Sequence, residues 1–219
     1  MANEDSFINE VSEEVRRDKL YGLMRRYGWI AIAAVILIVG GAAAFEWQKS
    51  KARTAAQAKG DALVAALGEN TPEARSAALN EVPVNDTPGG RTVLALLQAA
   101  GAVEADDTAG ALAALEELAS DSDAPALYRD LAILKSVIIG AGETPPAERA
   151  AALTPLLQPG NPYRLLALEQ RAFAEVEQGD SDAALETLTG ILADAEVTED
   201  LRRRVSQLIV ALGGALEQG

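Results

Sequence analysis

The chain contains no cysteine and no histidine, and it has few aromatic residues: two tryptophans, four tyrosines and three phenylalanines in 219 residues. Without cysteine there are no disulfides, thiolate metal ligands or cysteine nucleophiles. Without histidine the chain lacks the commonest general base, the usual zinc ligand and the side chain that titrates near neutral pH. We therefore expect no metal site, no cofactor and a fold held by its apolar core alone.

Positive charge is also scarce after the first quarter of the chain. Residues 1–59 carry nine basic and seven acidic side chains, whereas residues 60–219 carry ten basic and 26 acidic ones. The net charges of the two parts are +2 and −16, which together give −14 for the whole chain. Because an acidic surface repels the phosphate backbone, nucleic acid is not expected as a partner.

Carboxylates are the only abundant candidates for acid–base or metal chemistry. Asp106–Asp107 and Glu116–Glu117 are two adjacent pairs. Neighbouring residues on a helix do not share a face, and an acid in a turn between helices usually caps the next helix. We therefore predict that the protein is not an enzyme.

One long apolar segment dominates the first half of the chain. Residues 29–45 read WIAIAAVILIVGGAAAF without a charge. A helix of about 20 residues rises about 30 Å, the thickness of a hydrocarbon core. We predict a transmembrane helix over residues 28–47, with small residues on one face suited to close helix packing. The residues assigned to this span are Trp29, Gly40, Gly41, Ala44, Phe45 and Trp47.

Two alternatives to a membrane span remain open. Residues 42–44 would serve as the small-residue cleavage site of a signal peptide. However, the region before the run is long and acidic, and the run exceeds the usual apolar region of about 7–15 residues. A buried core helix is the other alternative, and the absence of a polar face over five turns argues against it.

The apolar run divides the chain into two unequal sides. Residues 1–27 are predicted to form a cytoplasmic amphipathic tail, because apolar residues recur there every three or four positions. Such a tail rests on anionic lipid or docks a cytoplasmic partner. A short basic tail stays in the cytoplasm while a long domain crosses regardless of its charge. We expect the C-terminal domain on the far side, which is the periplasm in a cell with two membranes.

The rest of the chain has a helical pattern. Residues 48–90 are predicted to be connecting helices and a loop: the membrane helix runs on or hinges near Gly60, a second helix begins at Thr71-Pro72, and residues 83–90 form a loop. Residues 91–219 are predicted to form helical repeats that end in a capping helix from Thr198 to about Leu216.

An internal repeat supports this prediction. Residues 102–119 and 175–192 align at an offset of 73, which is about twice the 34-residue tetratricopeptide period. Each copy reads as a helix, an acidic turn and a second helix, and a further helix pair is expected between them. The residues predicted to pack the repeats are Ala111, Leu112, Leu115, Ala184, Leu185 and Leu188. The predicted fold class is all-α, with one transmembrane helix followed by a tetratricopeptide-like α-solenoid.

A few other residues stand out in the acidic domain. We expect Tyr128, Tyr163 and Phe173 to pack in the core, with ligand contact as the alternative. Arg164 stands out beside these aromatic residues. Residues 202–204 form an arginine cluster that either pairs with neighbouring acids or contacts an acidic partner or lipid head groups.

The N-terminal sequence FINEVSEEVRRDKLYGLMRRYGWIAI, together with the repeats, resembles bacterial proteins of the YfgM type, which are ancillary subunits of the SecYEG translocon. Members have a short cytoplasmic tail, one membrane helix and a periplasmic tetratricopeptide-like domain. The copies here lack the large aromatic residue of the first repeat helix, with Gly101 and Ala174 near that place.

The resemblance implies a protein of the bacterial inner membrane that associates with the translocon and with periplasmic chaperones. We therefore expect a membrane-anchored periplasmic scaffold that binds partner proteins and assists exported proteins. The alternative is a single-span accessory subunit of another inner-membrane complex, respiratory or envelope, which suits the same architecture.

Overall fold

The computed structural model of the protein describes residues 4–83 and 88–215, with side chains described from Arg25 onward except at residues 28, 31 and 88. These residues form helices and turns and contain no strand, so the predicted all-α class is confirmed. The helices are α1 (Glu4–Leu67), α2 (Pro72–Glu81), α3 (Pro88–Glu104), α4 (Thr108–Ser120), α5 (Ala126–Ile139), α6 (Pro146–Ala152), a 3₁₀ turn (Thr154–Leu157), α7 (Arg164–Glu177), α8 (Ser181–Ala193) and α9 (Glu199–Ala211).

The chain separates into two compact units, residues 1–58 and residues 59–219. The first unit is a helical segment of α1 whose described apolar side chains are exposed; Ile36 and Leu37, for example, are 64% and 76% exposed. Among the described residues, the stretch Ile32–Leu67 is the one that is long and apolar enough to cross a membrane. The predicted amphipathic pattern of residues 1–24 lies in side chains outside the described ones.

The second unit begins within α1, which does not break at Gly60. Residues 59–83 therefore belong with the helices that follow them. The predicted loop over residues 83–90 is wrong at its end, because Pro88 starts α3. Proline suits the first helical turn, where its missing N–H has no partner to lose. Residues 84–87 lie outside the described residues.

The two predicted repeats adopt the same turn. In the turn between α3 and α4, the N–H of Asp107 donates to the carbonyl of Ala102 at 2.8 Å. In the turn between α7 and α8, the N–H of Asp180 donates to the carbonyl of Glu175 at 2.9 Å. The second hydrogen bond lies 73 residues after the first. The offset seen in the sequence therefore corresponds to a hydrogen-bond pattern that ends a helix in both places.

The same turn also starts the next helix. The carboxylates of Asp107 and Asp180 each accept a hydrogen bond from the backbone N–H three residues further on. The residue before each cap has a positive φ, 55° at Asp106 and 82° at Gly179. The acid that sequence alone presents as a candidate for chemistry is therefore a helix cap in both copies.

Equivalent residues build the two larger cores. Ala99, Leu115, Leu118 and Ala132 cluster between α3, α4 and α5. The equivalent residues 73 positions later cluster between α7, α8 and α9: these are Ala172, Leu188, Ile191 and Val205. Each three-helix core therefore uses one set of positions twice.

The smaller cores also correspond. Leu153, Leu156 and Ala167 pack against Leu134 and Val137 of α5. In the first copy, Leu79, Val82 and Leu94 take the places of Leu153, Leu156 and Ala167, and their cover is Ala66 with Ala62 and Leu63. The last turns of α1 thus fill the position that α5 fills in the second copy. Residues 71–142 and 144–215 therefore share a similar arrangement, in which α6 and the 3₁₀ turn take the place of α2 and the equivalent residues there lie 74 positions apart, against 73 in the later helices.

The predicted helix pair between the copies is unequal. α5 packs mainly on α4, and the short α6 packs mainly on α7. The predicted capping helix begins after Thr198, whose side chain accepts a hydrogen bond from the N–H of Leu201. It ends at Ala211, five residues before the predicted end at Leu216, which lies outside the described residues.

Candidate protein-binding face

An arginine joins the start of each repeated hairpin to its end. Nε of Arg91, in the first turn of α3, donates to Asp121 after α4 at 3.2 Å. Nη2 of Arg164, in the first turn of α7, donates to Asp194 after α8 at 2.6 Å. The two pairs are related by the 73-residue offset, so each hairpin is closed by the same ion pair at its open end.

These contacts hold both aspartates in the charged form. The pKa of Asp121 is lowered first by the N–H of Asp123, which donates to its carboxylate at 2.9 Å, and then by Arg91. The pKa of Asp194 is lowered mainly by the hydrogen bond from Arg164. Hydrogen bonds to the carboxylate favour its ionised form.

A second ion pair recurs where each hairpin meets the helix before it. Nη2 of Arg75 in α2 lies 2.9 Å from Glu104 at the end of α3. Arg149 in α6 pairs in the same way with Glu177 at the end of α7, and Arg149 is only 3% exposed. The structure therefore uses its few arginines to fix helix positions rather than to present a basic surface.

α3, α5, α7 and α9 lie side by side, because α3 contacts α5, α5 contacts α7, and α7 shares a groove with α9. We call the surface along this row the odd-helix face. The α7–α9 groove encloses about 540 Å³ and is lined by Glu169, Gln170, Phe173, Arg204, Gln207, Leu208 and Ala211.

The repeat extends this face to α3 and α5. Phe173 corresponds to Ala100, and Ala211 corresponds to Ile138. Apolar side chains stay exposed along the row: Ile138 is 47% exposed and Phe173 is 38% exposed. Seven of the 26 acids of residues 60–219 lie on these four helices, so the odd-helix face is distinguished by its exposed apolar side chains and not by a lack of acids.

An ion pair joins α7 and α9 at one end of the row. Nε and Nη2 of Arg204 each donate to one carboxylate oxygen of Glu169 at 2.8 Å. Glu169 is 5% exposed, and it raises the pKa of Arg204. The corresponding residues in the first copy are Leu96 and Leu131. Two leucines of the first copy are therefore replaced in the second copy by an ion pair that has two hydrogen bonds.

The predicted repeat-packing residues fall into two classes. Ala111, Leu115, Ala184 and Leu188 are fully buried, while Leu112 and Leu185 are partly buried. The alanines and the fully buried leucines lie where α4 and α8 meet their neighbours. The four fully buried side chains are therefore not available to a partner from outside.

The aromatic residues do not all lie in the core. Tyr163 packs against the cluster that contains Leu156, as expected. Tyr128 and Phe173 are 40% and 38% exposed, so the expectation of core packing is wrong for these two. Phe173 instead lines the α7–α9 groove. The exposure of Phe173 could not be predicted from the spacing of apolar residues, because the equivalent residue, Ala100, is also apolar.

The arginine cluster divides among three partners. Arg203 pairs with Asp200, as the sequence suggests. Arg202 donates to the carbonyl of Leu192 at 3.3 Å, and Arg204 binds Glu169. Glu199 has no part in these contacts. Arg202 and Arg204 therefore hold α9 against α8 and α7.

The predicted span residues lie along α1. Trp29, Phe45 and Trp47 are each about two-thirds exposed, and the ammonium of Lys51 lies 3.8 Å from the ring centroid of Trp47. Nothing in the described residues lies within 4 Å of a Cβ built at Gly40 or Gly41. Ala44 is exposed between them and Phe45.

Within the described residues, no group of three or more acidic side chains is placed to hold a metal ion. Comparison with protein-family models, with curated proteins and with solved structures finds no match to this chain.

Proposed function

We propose that this protein is a membrane-anchored scaffold that binds partner polypeptides on the odd-helix face. The observation that carries the proposal is the set of exposed apolar side chains on this row of helices, among them Ile138 and Phe173. Exposed apolar surface that is continuous and bordered by polar groups is typical of interaction sites. The helix row resembles a tetratricopeptide-like α-solenoid, which offers such a surface along its inner helices.

The anchor is the apolar part of α1. Its exposed apolar side chains have no protein cover among the described residues, and lipid is the medium that accommodates them. Trp47 and Lys51 suit the head-group level, where amphipathic rings and lysine side chains lie. With the acidic domain across the membrane from a cytoplasmic tail, the protein is a single-pass protein of a bacterial inner membrane.

The N-terminal resemblance to YfgM-type proteins supports the translocon and periplasmic chaperones as the partners. The protein would hold exported chains, or the factors that fold them, close to their exit site. A role as accessory subunit of another inner-membrane complex uses the same anchor and face, and it differs only in the partner.

In-cell crosslinking tests the proposal. A photoreactive amino acid at Ile138 or Phe173 is expected to capture translocon subunits, chaperones or exported chains. The matched controls are Glu117 and Glu186, which are exposed on α4 and α8. Equal capture from the control positions would contradict the odd-helix face, and capture of a respiratory or envelope complex would favour the alternative.

Single-cysteine labelling tests the anchor, and the absence of native cysteine makes every signal specific. Ser6→Cys is expected to react with a membrane-impermeant maleimide only after lysis, whereas Ser122→Cys reacts in cells whose outer membrane is permeable. Release of the protein into an aqueous extract, or a mature N-terminus near Phe45, would contradict the anchor.

A further inference from the structure

Lys135 differs from every other basic residue in the described part of residues 60–219. It is the only lysine after Lys59. The arginines of this region each have a hydrogen-bonded acid or carbonyl: these are Arg75, Arg91, Arg129, Arg149, Arg164, Arg171, Arg202, Arg203 and Arg204. The ammonium of Lys135 has no such partner among the described residues.

The position of Lys135 places it on the odd-helix face. It corresponds to Leu208, which lines the α7–α9 groove with Phe173. Along α5, Leu131 precedes Lys135 by four residues and Ile138 follows it by three, so all three lie on one side of the helix. Lys135 is only partly exposed.

An unpaired cation is unexpected in this setting. Residues 60–219 carry 26 acids, yet their only lysine forms no ion pair among the described residues, and its neighbours on the same side of α5 are Leu131 and Ile138. Lys135 is partly buried as a residue, and a ligand that covers the odd-helix face would reduce the screening between its own carboxylate and the ammonium. The missing partner is therefore best supplied by a ligand.

We propose that the odd-helix face binds an apolar polypeptide segment through one acidic side chain, which pairs with Lys135. This inference rests on the proposed function and names the chemistry of its ligand. The structure favours a side chain over a chain end, because the apolar face continues on both sides of α5, to α3 and to α7. The ligand must therefore extend past Lys135 in both directions.

The charge of the domain limits the ligand to a short acidic feature. One carboxylate meets one free cation, whereas a run of acids would face the net charge of −16. Four helices about 10 Å apart span about 30 Å, which an extended chain of about nine residues covers. The expected ligand is an apolar segment of that length with an aspartate or glutamate near its centre.

Fluorescence anisotropy with the full-length protein in nanodiscs tests this inference. The probes are amidated apolar peptides of about 12 residues with a central glutamate, glutamine or lysine, and a glutamine peptide with a free C-terminal carboxylate. The glutamate peptide is expected to bind about three- to tenfold more tightly than the glutamine peptide. Lys135→Met removes this preference, and Lys135→Glu reverses it in favour of the lysine peptide.

Arg202→Met is the matched control, because it removes one positive charge outside the odd-helix face, and it is expected to keep the preference for glutamate. Equal binding of the glutamate and glutamine peptides to the wild type would overturn the inference and leave the proposed function standing. So would a uniform loss for all peptides in Lys135→Met, which indicates a structural role. Preference for the free C-terminus would overturn the assignment to a side chain. If no peptide binds, the proposed function fails first.

Discussion

Val137 and Val210 occupy the same position in two copies of one four-helix pattern, yet Val137 is 2% exposed and Val210 is 58% exposed. Val137 is covered by the 3₁₀ turn and α7 of the second copy. Val210 has no following copy to cover it among the described residues. The difference distinguishes the surface around Val137, which the following helices cover, from the surface around Val210, which no described residue covers.

The polar side chains of Glu169, Arg204 and Gln207, which line the α7–α9 groove, are expected to prevent self-association. Replacing Glu169, Arg204 and Gln207 with leucine gives the last copy the leucines that the first copy has at residues 96, 131 and 134. The exposed leucines would then pair between molecules, because large apolar patches drive association. Analytical ultracentrifugation in detergent is expected to show a larger species than the wild type. Arg203→Leu, at an exposed position, is the control that stays unchanged.

Loss of the Arg204 cation alone is expected to destabilise the domain. Arg204→Ala leaves the carboxylate of Glu169 nearly buried and unpaired. The cost is about 1–2 kcal/mol, less than for a fully buried pair because Arg204 is half exposed. Urea denaturation measures it, and Glu169→Gln in the same background should recover much of the loss. A melt unaffected by Arg204→Ala would contradict the structural role of the pair.

Equivalent core substitutions are expected to have equivalent effects. Leu115→Ala and Leu188→Ala each remove a fully buried side chain from the same position of the two copies. Each should lower the free energy of unfolding by about 2–5 kcal/mol, the usual range for a cavity of this kind. Leu127→Ala, at a position that is 47% exposed, should cost less than about 1 kcal/mol. Very different values for Leu115 and Leu188 would argue against equivalent packing.

Acid is expected to weaken the ion pairs that close the hairpins. The folded-state pKa values of Asp121 and Asp194 are lowered, so their contribution to stability is present above the ordinary value of about 3.9. It is lost as the pH falls below about 3.9 through the lowered pKa values, where the carboxylates become protonated. In the double variant Asp121→Asn, Asp194→Asn, the free energy of unfolding should change less with pH over that range than in the wild type. An unchanged acid slope would contradict the prediction.

Sequence predicts the helices well where a cap marks them. Thr71-Pro72 and Thr198 both start helices as expected, because their side chains or ring suit a first turn. The loop prediction over residues 83–90 fails because proline and glycine are read as breakers, although Pro88 opens α3. The early end of α9 is marked by Gly213, which has a φ of 82°, and the prediction to about Leu216 runs past this glycine.

The repeat extends well beyond the stretch that sequence comparison detects. Residues 102–119 and 175–192 match over a continuous run, whereas Arg91 and Asp121 match their counterparts as isolated residues 30 positions apart. Only the contact between their side chains shows that they form a unit. The odd-helix face is missed for the same reason, since it is assembled from four helices that are separated in the sequence.

The arrangement of the two copies has a consequence for how such a protein could be lengthened. The first copy is covered on two sides, on one by the last turns of α1 and on the other by the 3₁₀ turn and α7. A duplicate of residues 71–143 inserted before Thr144 would meet the surfaces it needs at both junctions. The row formed by α3, α5, α7 and α9 would then grow in fixed steps, set by the number of inserted units.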